Sequence, residues 1–314
     1  MTARMLLAVA LAALLTPAAV QADDRPAALT GPLAQDYDPA PALWKLADAD
    51  TTIYLFGTIH LLPEGFRWRN AQLDAVVAEA ETLVVESTED DAMASLEAFG
   101  PKMRAMAESR LPTSQRLHPA LRDKWRAMVE MSGLQFEAVD AVPLPLAMME
   151  FGFGGAAAGP SSYDYGVETV LEAEFAASGR PIESIEHHGA VMLSLMRIDD
   201  AGMLRDLEAD LAQWSGKADA GPADAQPMDW TMEHDWARGR VAETFDLGLG
   251  SGKVGAAFQR ALLAKRNEAW ALWLDNRLDR PGTALVAVGA GHFEGRGSVH
   301  DFLAARGLAA ERIN

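Results

Sequence analysis

Two histidines in this chain each follow an apolar run and a glycine, with the same Gly-x-x-His spacing. The first copy runs from Gly57 to His60, and the second runs from Gly289 to His292. Short apolar runs bounded by glycine are typical of buried strands, so both histidines are predicted to follow strands of an α/β sheet. Imidazoles at such positions can bind a divalent metal or exchange protons. For one copy alone, a histidine that only bonds a loop carbonyl is the alternative, but the repetition favours a shared site.

Two glutamates follow further predicted strands in the same way. Glu86 comes directly after Thr82–Val85, and Glu186 comes directly after Pro181–Ile185. In a mainly parallel sheet the carboxyl ends of these strands lie at one edge, where ligand crevices open. Two imidazoles and two carboxylates there suit a divalent metal with open positions, or a metal-free acid and base pair. For Glu86, a carboxylate that caps the following helix is an equal alternative.

The glycines that open the two motifs are predicted to shape the turns after the strands. Gly57 and Gly289 are each expected either to take a positive φ or to allow a close backbone approach. A valine at Gly289 is therefore expected to disturb both the site and the stability of the fold, because a β-branched residue resists a positive φ.

An arginine interrupts the apolar face of the helix predicted for Ala256–Leu278. At about 100° per residue, the apolar stripe consists of Leu262, Arg266, Ala269, Trp270 and Trp273. A guanidinium keeps its proton, and burying it without a partner is costly. Arg266 is therefore predicted to point at the carboxyl edge near Glu86 or Glu186 and to stabilise negative charge on a ligand or intermediate. A buried ion pair that only fixes the helix is the alternative. Asn267 is expected at the rim of the same cleft.

Composition limits the class of protein and its location. The chain has 314 residues and no cysteine, so it can bury a sizeable core but forms no disulfide. Met1–Ala22 has the pattern of a cleavable signal peptide, and no later segment is apolar and long enough to span a bilayer. We therefore expect a periplasmic or secreted protein without stable membrane insertion. The formal charge of −18 argues against binding nucleic acid.

The remaining chain is predicted to form one α/β domain. Residues 23–42 are expected to be a flexible leader, and residues 43–314 the domain, with a helical insertion at about 93–150. The predicted order of strand, helix and strand around Glu86 indicates a central mixed, mainly parallel sheet with helices on both faces. Phe151–Pro160 and Ser215–Met228 are predicted to be loops. The oligomeric state stays open.

Several of these segments together resemble the TraB/PrgY/GumN family, in its bacterial GumN-like branch. The resemblance covers the chain from about Leu43 to its end. It rests on Leu55–His60, Leu83–Glu86, Tyr163–Glu168, Pro181–Glu186, Arg266–Trp270 and Val286–His292, in that order. It implies a fold similar to erythromycin-esterase-like and haem-binding ChaN-like domains. Related animal Tiki proteins resemble divalent-metal-dependent proteases that use two Gly-x-x-His motifs.

The resemblance implies a metal-dependent hydrolase acting on a peptide or other amide bond, with a peptide or small molecule as substrate. The metal, expected to be Mn, Co or Zn, would be held by His60, His292 and one of the two glutamates. The other glutamate would be the general base, and Arg266 and Asn267 would complete the catalytic set. Two alternatives stay open. One is a haem-binding or other accessory protein of polysaccharide export, and the other is a metal-free esterase.

The chain departs from the family pattern directly after Glu186. Relatives commonly have Thr there, and this chain has His187 and His188. Exposed loop histidines are the favoured interpretation, and extra ligands are the alternative. Three other histidines match no motif and are predicted to have no role at the site; they are His118, His234 and His300.

Overall fold

The structure is a computed structural model, and it describes residues 31, 33–149, 161–216, 229–245, 247 and 252–314. The predicted signal peptide and the predicted loop 151–160 lie outside these residues, as does nearly all of the predicted loop 215–228. The described end of the predicted flexible leader is tied to the domain, because Tyr37 Oη bonds His234 Nδ1 at 2.7 Å and the amide of Ala40 donates to the carbonyl of Ala237.

Six strands form one mixed sheet at the centre of the domain. They are β1 (Leu43–Ala47), β2 (Thr51–Thr58), β4 (Thr82–Val85), β6 (Ile182–Ser184), β7 (Gly282–Gly289) and β8 (Glu311–Arg312). Their order is β6-β4-β7-β2-β1-β8. The four strands from β6 to β2 are parallel, and β1 runs antiparallel to β2 and β8. A separate small pair joins β3 (Leu62–Pro63) to β5 (Ser161–Ser162). The predicted mixed, mainly parallel sheet is confirmed.

Helices cover both faces of this sheet. Successive residues of a strand point to opposite sides, so a strand of apolar residues packs against a core on each face. In β2, Tyr54 and Phe56 pack into one core cluster, while Ile53 and Leu55 pack into another. The α-helices before β6 are α1 (Ala71–Glu79), α2 (Glu89–Glu108), α3 (Thr113–Arg116), α4 (Arg122–Met131), α5 (Phe136–Ala141) and α6 (Val167–Ala177). The later ones are α7 (His188–Met196), α8 (Ala201–Gln213), α9 (Thr231–Ala237), α10 (Gly252–Gln259), α11 (Lys265–Leu278) and α12 (Val299–Ala305).

The helical insertion predicted at about 93–150 consists of several helices, of which the first has 20 residues and the later ones are shorter. It begins with α2, and prolines at 112, 119 and 143 separate the pieces that follow, since proline cannot donate its amide within a helix. Trp125 and Val129 of α4 are fully buried in a third core cluster, which the insertion forms with α7 and α8. No helix in the described part of the chain is both long enough and apolar enough to cross a membrane.

The long helix predicted for Ala256–Leu278 contains a π-helical segment, Arg260–Ala264, between α10 and α11. A π turn holds more residues than an α turn, so the faces before and after it are rotated relative to each other. The predicted stripe is therefore wrong at Ala269, which is exposed, and Asn267 is buried instead of lying at the rim. The inner face of α11 carries Arg266, Asn267, Trp270, Ala271, Leu274 and Arg277.

A buried carboxyl in α9 makes stability depend on pH. Burial raises the pKa of Glu233 to about 7, and its Oε2 has no hydrogen-bond partner among the residues described. A raised folded-state pKa favours the folded protein at low pH, and this contribution is lost as pH rises through 7. We expect Glu233→Gln to be about 1–2 kcal/mol more stable relative to wild type at pH 8 than at pH 5. Urea unfolding of both proteins at the two pH values measures this, and equal differences at both would contradict it.

Candidate active site

The sheet brings the four predicted strand-end residues to one edge. His60 lies two residues beyond β2, Glu86 directly follows β4, and Glu186 lies two residues beyond β6. His292 lies in the short 3₁₀ turn Ala290–Phe293 that follows β7. Because these four strands are parallel and adjacent, all four side chains lie at the carboxyl edge, and all are at most 9% exposed.

Arg266 of α11 joins the two glutamates. Its Nε donates to Glu186 Oε2 at 2.8 Å, and its Nη2 donates to Glu186 Oε1 at 2.7 Å and also to Glu86 Oε2. Trp270, one turn further along α11, donates its indole N–H to Glu186 Oε2 at 2.9 Å. The guanidinium is buried, and ion pairing with two carboxylates offsets the cost of removing three charges from water.

The arginine contacts show what Arg266 does in this arrangement. Its Nη1 donates to the carbonyl of Leu262, so nearly all of its donors are occupied by this chain. Burial raises the pKa of Glu186, and the positive charge of Arg266 only partly offsets that effect. Arg266 therefore orients the two glutamates. Arg266 was predicted to stabilise negative charge on a ligand. For that role it would have to use the guanidinium N–H donors that these bonds leave unoccupied.

Glu86 belongs to this network and does not cap the helix that follows it. Its Oε1 accepts the backbone amide of Gly289 at 2.9 Å, which ties the end of β4 to the end of β7. The cap of α2 is the side chain of Thr88, which accepts the amide of Asp91. The capping alternative for Glu86 is therefore wrong, because another residue already satisfies the first turn of α2.

His292 is held by its Nδ1 atom. Nδ1 bonds Asn267 Oδ1, and the amide nitrogen of Asn267 donates to the carbonyl of Gly297 at 2.7 Å, so the Asn267 oxygen is the acceptor. This assigns the proton to Nδ1 and leaves a lone pair on Nε2. Burial lowers the pKa of His292 well below its ordinary value, and the charges of Arg266 and His60 lower it further. The ring is neutral and stacks 3.9 Å from the Trp270 ring.

His60 is held in the same way by a different partner. Its Nδ1 lies 2.7 Å from Oε1 of Glu168, which also accepts the hydroxyl of Thr58. Burial lowers the pKa of His60, but the carboxylates of Glu168 and Glu86 together outweigh burial, and the net pKa is raised. Within the described residues, Nε2 of His60 is buried without a hydrogen-bond partner, and so is Nε2 of His292.

Glu168 is the site residue that reasoning from the sequence missed. The short β3–β5 pair returns the chain to the turn after β2, and the amide of Val167 then donates to the carbonyl of Ile59 at 3.0 Å. This docks the first turn of α6 on the His60 turn. The segment Tyr163–Glu168 supported the family resemblance, so its glutamate was the available signal. Glu168 was missed because the sequence was not searched for a carboxylate that could bond the Nδ1 atom of a site histidine.

Neither motif glycine takes a positive φ. At Gly57 a side chain would press on the backbone of Ala290, so this glycine allows a close approach between the β2 and β7 turns. Gly289 has φ −48°, and its amide serves Glu86. The reason given for a disruptive Gly289→Val, a positive φ at that residue, is therefore wrong.

The additional histidines lie apart from this network. His187 is exposed and its Nδ1 lies 3.0 Å from Asp91 Oδ1, as expected of a loop histidine. His188 is buried at the start of α7, so the expectation of exposure is wrong for it; its amide donates to the same aspartate. His234 bonds Tyr37, and His300 packs against the ring of Trp44.

The site contains the types of donor atom that bind a divalent metal, but these atoms are not arranged around one ion position. His292 Nε2 lies 3.7 Å from Glu86 Oε1, and the Nδ1 atoms of the two buried imidazoles are held by oxygen acceptors, the usual outer partners of metal-binding histidines. Across the described ranges, no three His, Cys, Asp or Glu side chains are already spaced as ligands of one ion. The donors fit a metal in type, and their spacing would have to change to hold an ion.

The fold and this centre define an α/β protein with paired histidines, glutamates and an arginine at the carboxyl edge of its sheet. The family model described as TraB/PrgY/gumN family matches residues 42–312, and the chain belongs to this family. No curated protein and no solved structure matches the chain.

Proposed function

We propose that this protein is a metal-dependent hydrolase of a peptide or other amide bond, secreted or periplasmic, with its active site at the carboxyl edge of the sheet. The observation that supports it is the pair of buried Nε2 atoms on His60 and His292. An acceptor holds the Nδ1 atom of each ring, and neither Nε2 atom has a hydrogen-bond partner among the described residues; a metal bound at His60 would displace any proton on its Nε2. His60, His292 and Glu86 would hold the ion.

The balance of charges in the site favours the binding of a cation. Two carboxylates, those of Glu86 and Glu186, pair with one guanidinium, and a third carboxylate, that of Glu168, lies against His60. A buried excess of negative charge is unfavourable unless a cation or a proton compensates it. A divalent metal there would make bound water a nucleophile near neutral pH.

The chain's own residues would then have distinct roles. Glu168 and Asn267 orient the two imidazoles by holding their Nδ1 protons, and Arg266 keeps Glu86 and Glu186 in place. Glu186 is occupied by Arg266 and Trp270, which makes it a poor general base. Oε2 of Glu168 is buried and has no hydrogen-bond partner in the described part of the chain. We therefore assign Glu168 as the group that accepts a proton.

Metal binding tests the proposal directly. Wild-type protein is stripped with a chelator, and rebinding of Mn²⁺, Co²⁺ and Zn²⁺ is measured by calorimetry. We expect His60→Ala/His292→Ala to abolish binding of the metal that wild type retains, because both lone pairs are lost. His118→Ala/His187→Ala is the matched control, since it removes two histidines outside the site. Equal binding by wild type and the site variant would refute the metal role.

Glu168→Gln tests the orienting role with a change of nearly equal shape. The amide can still contact His60 Nδ1 but no longer supplies a negative charge, so we expect metal affinity to fall about 10–100-fold. Glu174→Gln, on the outer part of the same helix, is the control and should bind metal like wild type. A Glu168→Gln variant that binds metal normally would show that Glu168 does not orient His60 for metal binding.

A metal-free hydrolase is a second candidate, and the His60–Glu168 pair favours it. A histidine whose Nδ1 is held by a carboxylate presents Nε2 as a general base. Peptide and ester libraries assayed with and without chelator separate the two candidates. Activity that the chelator removes supports the metal enzyme, and ester cleavage that survives the chelator and depends on His60 supports the metal-free one.

A further inference from the structure

Five cationic side chains line two adjoining cavities away from the carboxyl edge of the sheet. We call this region the cation groove, and it comprises Arg110, Arg116, Arg197, Arg260 and Lys265. One cavity has a volume of about 450 Å³ and the other about 360 Å³. They share Arg197, Ile198 and Asp199, which form the turn after α7. The groove therefore lies between the end of α7 and the π-helical segment that begins at Arg260.

The charge of the groove is opposite to that of the whole protein. The chain has 45 acidic and 27 basic residues, whereas the groove has five cations and only Asp199 and Asp200 as acids. Both aspartates are already engaged. Asp200 accepts two bonds of 2.7 Å from Arg116, and Asp199 accepts the amide of Ala201 at 3.1 Å. Asp200 is therefore paired with Arg116, and five cations against two carboxylates leave the groove with a net positive charge.

Three of the four remaining cations are left without partners of their own. Considering only the described residues, Arg197, Arg260 and Lys265 form no ion pair and no side-chain hydrogen bond, and all three are exposed to the larger cavity. Arg110 bonds the carbonyl of Met196 through Nη2, but its Nη1 is buried, 3.6 Å from Asp200 Oδ2 and without a hydrogen bond. Cations that line one cavity attract an anion, and the exposed donors of these side chains are available to bind it.

The rest of the larger cavity suits a small molecule. Its other walls are the hydroxyl residue Ser194 and short apolar side chains, which are those of Ile198, Ala256, Ala257 and Ala261. A volume of about 450 Å³ is within the range of small-ligand sites. Arginine forks bind phosphate and carboxylate groups with two parallel bonds. A π-helical segment also forms one wall, and such segments occur often at functional sites.

We propose that the cation groove binds a small organic anion carrying at least two phosphate or carboxylate groups. The groove is separate from the candidate active site. Lys265 points to solvent, whereas its neighbour Arg266 is buried against Glu86 and Glu186. Binding here does not depend on the proposed hydrolase function.

Calorimetry on the metal-free protein tests the proposal, with tripolyphosphate and citrate as the phosphate and carboxylate probes. Metal-free protein is used because both probes chelate metals. We expect saturable binding of at least one probe, weakened by added salt. Arg197→Gln/Arg260→Gln should lower the affinity at least about tenfold, since two charged contacts are lost. Both replaced residues are exposed, so the variant should fold normally, as circular dichroism can verify.

Lys102→Gln/Arg122→Gln is the matched control, because it removes two exposed cations outside the groove. It should bind the probe within about twofold of wild type, a difference of less than 0.5 kcal/mol. Tighter binding of tripolyphosphate than of citrate identifies a phosphate site, and the reverse identifies a carboxylate site. No saturable binding, or equal affinity in wild type and the groove variant, overturns the proposal. Tighter binding of poly-glutamate than of either probe also overturns it, in favour of a macromolecular partner.

Discussion

Replacing Arg266 by methionine is expected to lower the free energy of unfolding by about 3–5 kcal/mol at neutral pH. The guanidinium is the shared partner of Glu86 and Glu186, and all three groups are buried. Methionine fills a similar volume but leaves two carboxylates facing each other without a counter-charge. Burial already raises the pKa of Glu186, and losing Arg266 would raise it further. A proton on Glu186 then removes the repulsion between the two carboxylates, so the loss should shrink as pH falls toward 4.

Urea unfolding at pH 7 and pH 4.5 measures this effect, with two variants for comparison. Arg266→Lys keeps the charge but not the fork, so its loss should be smaller than that of Arg266→Met. Arg306→Met removes an exposed pair with Asp275 and should cost less than about 1 kcal/mol. An Arg266→Met loss no larger than that of Arg306→Met would contradict the assignment of Arg266 as the group that holds the two glutamates.

Replacing Gly166 by alanine is expected to damage the site through backbone displacement. A Cβ atom at this position would overlap the carbonyl oxygen of His60, so α6 or the His60 turn has to move. Either movement separates Glu168 from His60 Nδ1 and breaks the bond from the Val167 amide to the Ile59 carbonyl. We expect a loss of about 1–3 kcal/mol in stability from overpacking and a fall in metal affinity of at least about tenfold.

Gly100→Ala is the matched control for this substitution. Gly100 lies in α2, and a Cβ atom there would meet nothing within 4 Å. Alanine should therefore stabilise the helix by up to about 1 kcal/mol and leave metal binding unchanged. Thermal melting and metal calorimetry on both variants give the comparison. A Gly166→Ala protein that melts and binds metal like wild type would show that the contact between α6 and the His60 turn tolerates a side chain.

Apolar runs and their end residues were enough to predict the sheet and the edge at which the candidate site lies. His60, Glu86, Glu186 and His292 all lie where the pattern placed them, because the carboxyl ends of parallel strands share an edge whatever the loops do. Burial of Arg266 beside the glutamates was predictable too, since a permanent charge on an apolar helix face needs a carboxylate.

The hydrogen-bond partners that helices supply to the two site histidines were not predictable from the pattern of apolar residues. Periodicity assumes a regular helix, and the π turn at Arg260–Ala264 rotates the face on which Asn267 meets His292. Glu168 approaches His60 only because β3 and β5 pair and the first turn of α6 docks on the Ile59 carbonyl.

The sequence by itself determined which side chains reach the edge, since this depends on strand direction and on local alternation of apolar residues. Only the tertiary structure decided which hydrogen-bond partners these side chains have. It assigned Arg266 to two glutamates at once, and it matched each histidine Nδ1 with an acceptor on a different helix. Hydrogen-bond partners depend on separations of a few tenths of an ångström between segments far apart in the chain, and no local pattern of residues encodes such distances.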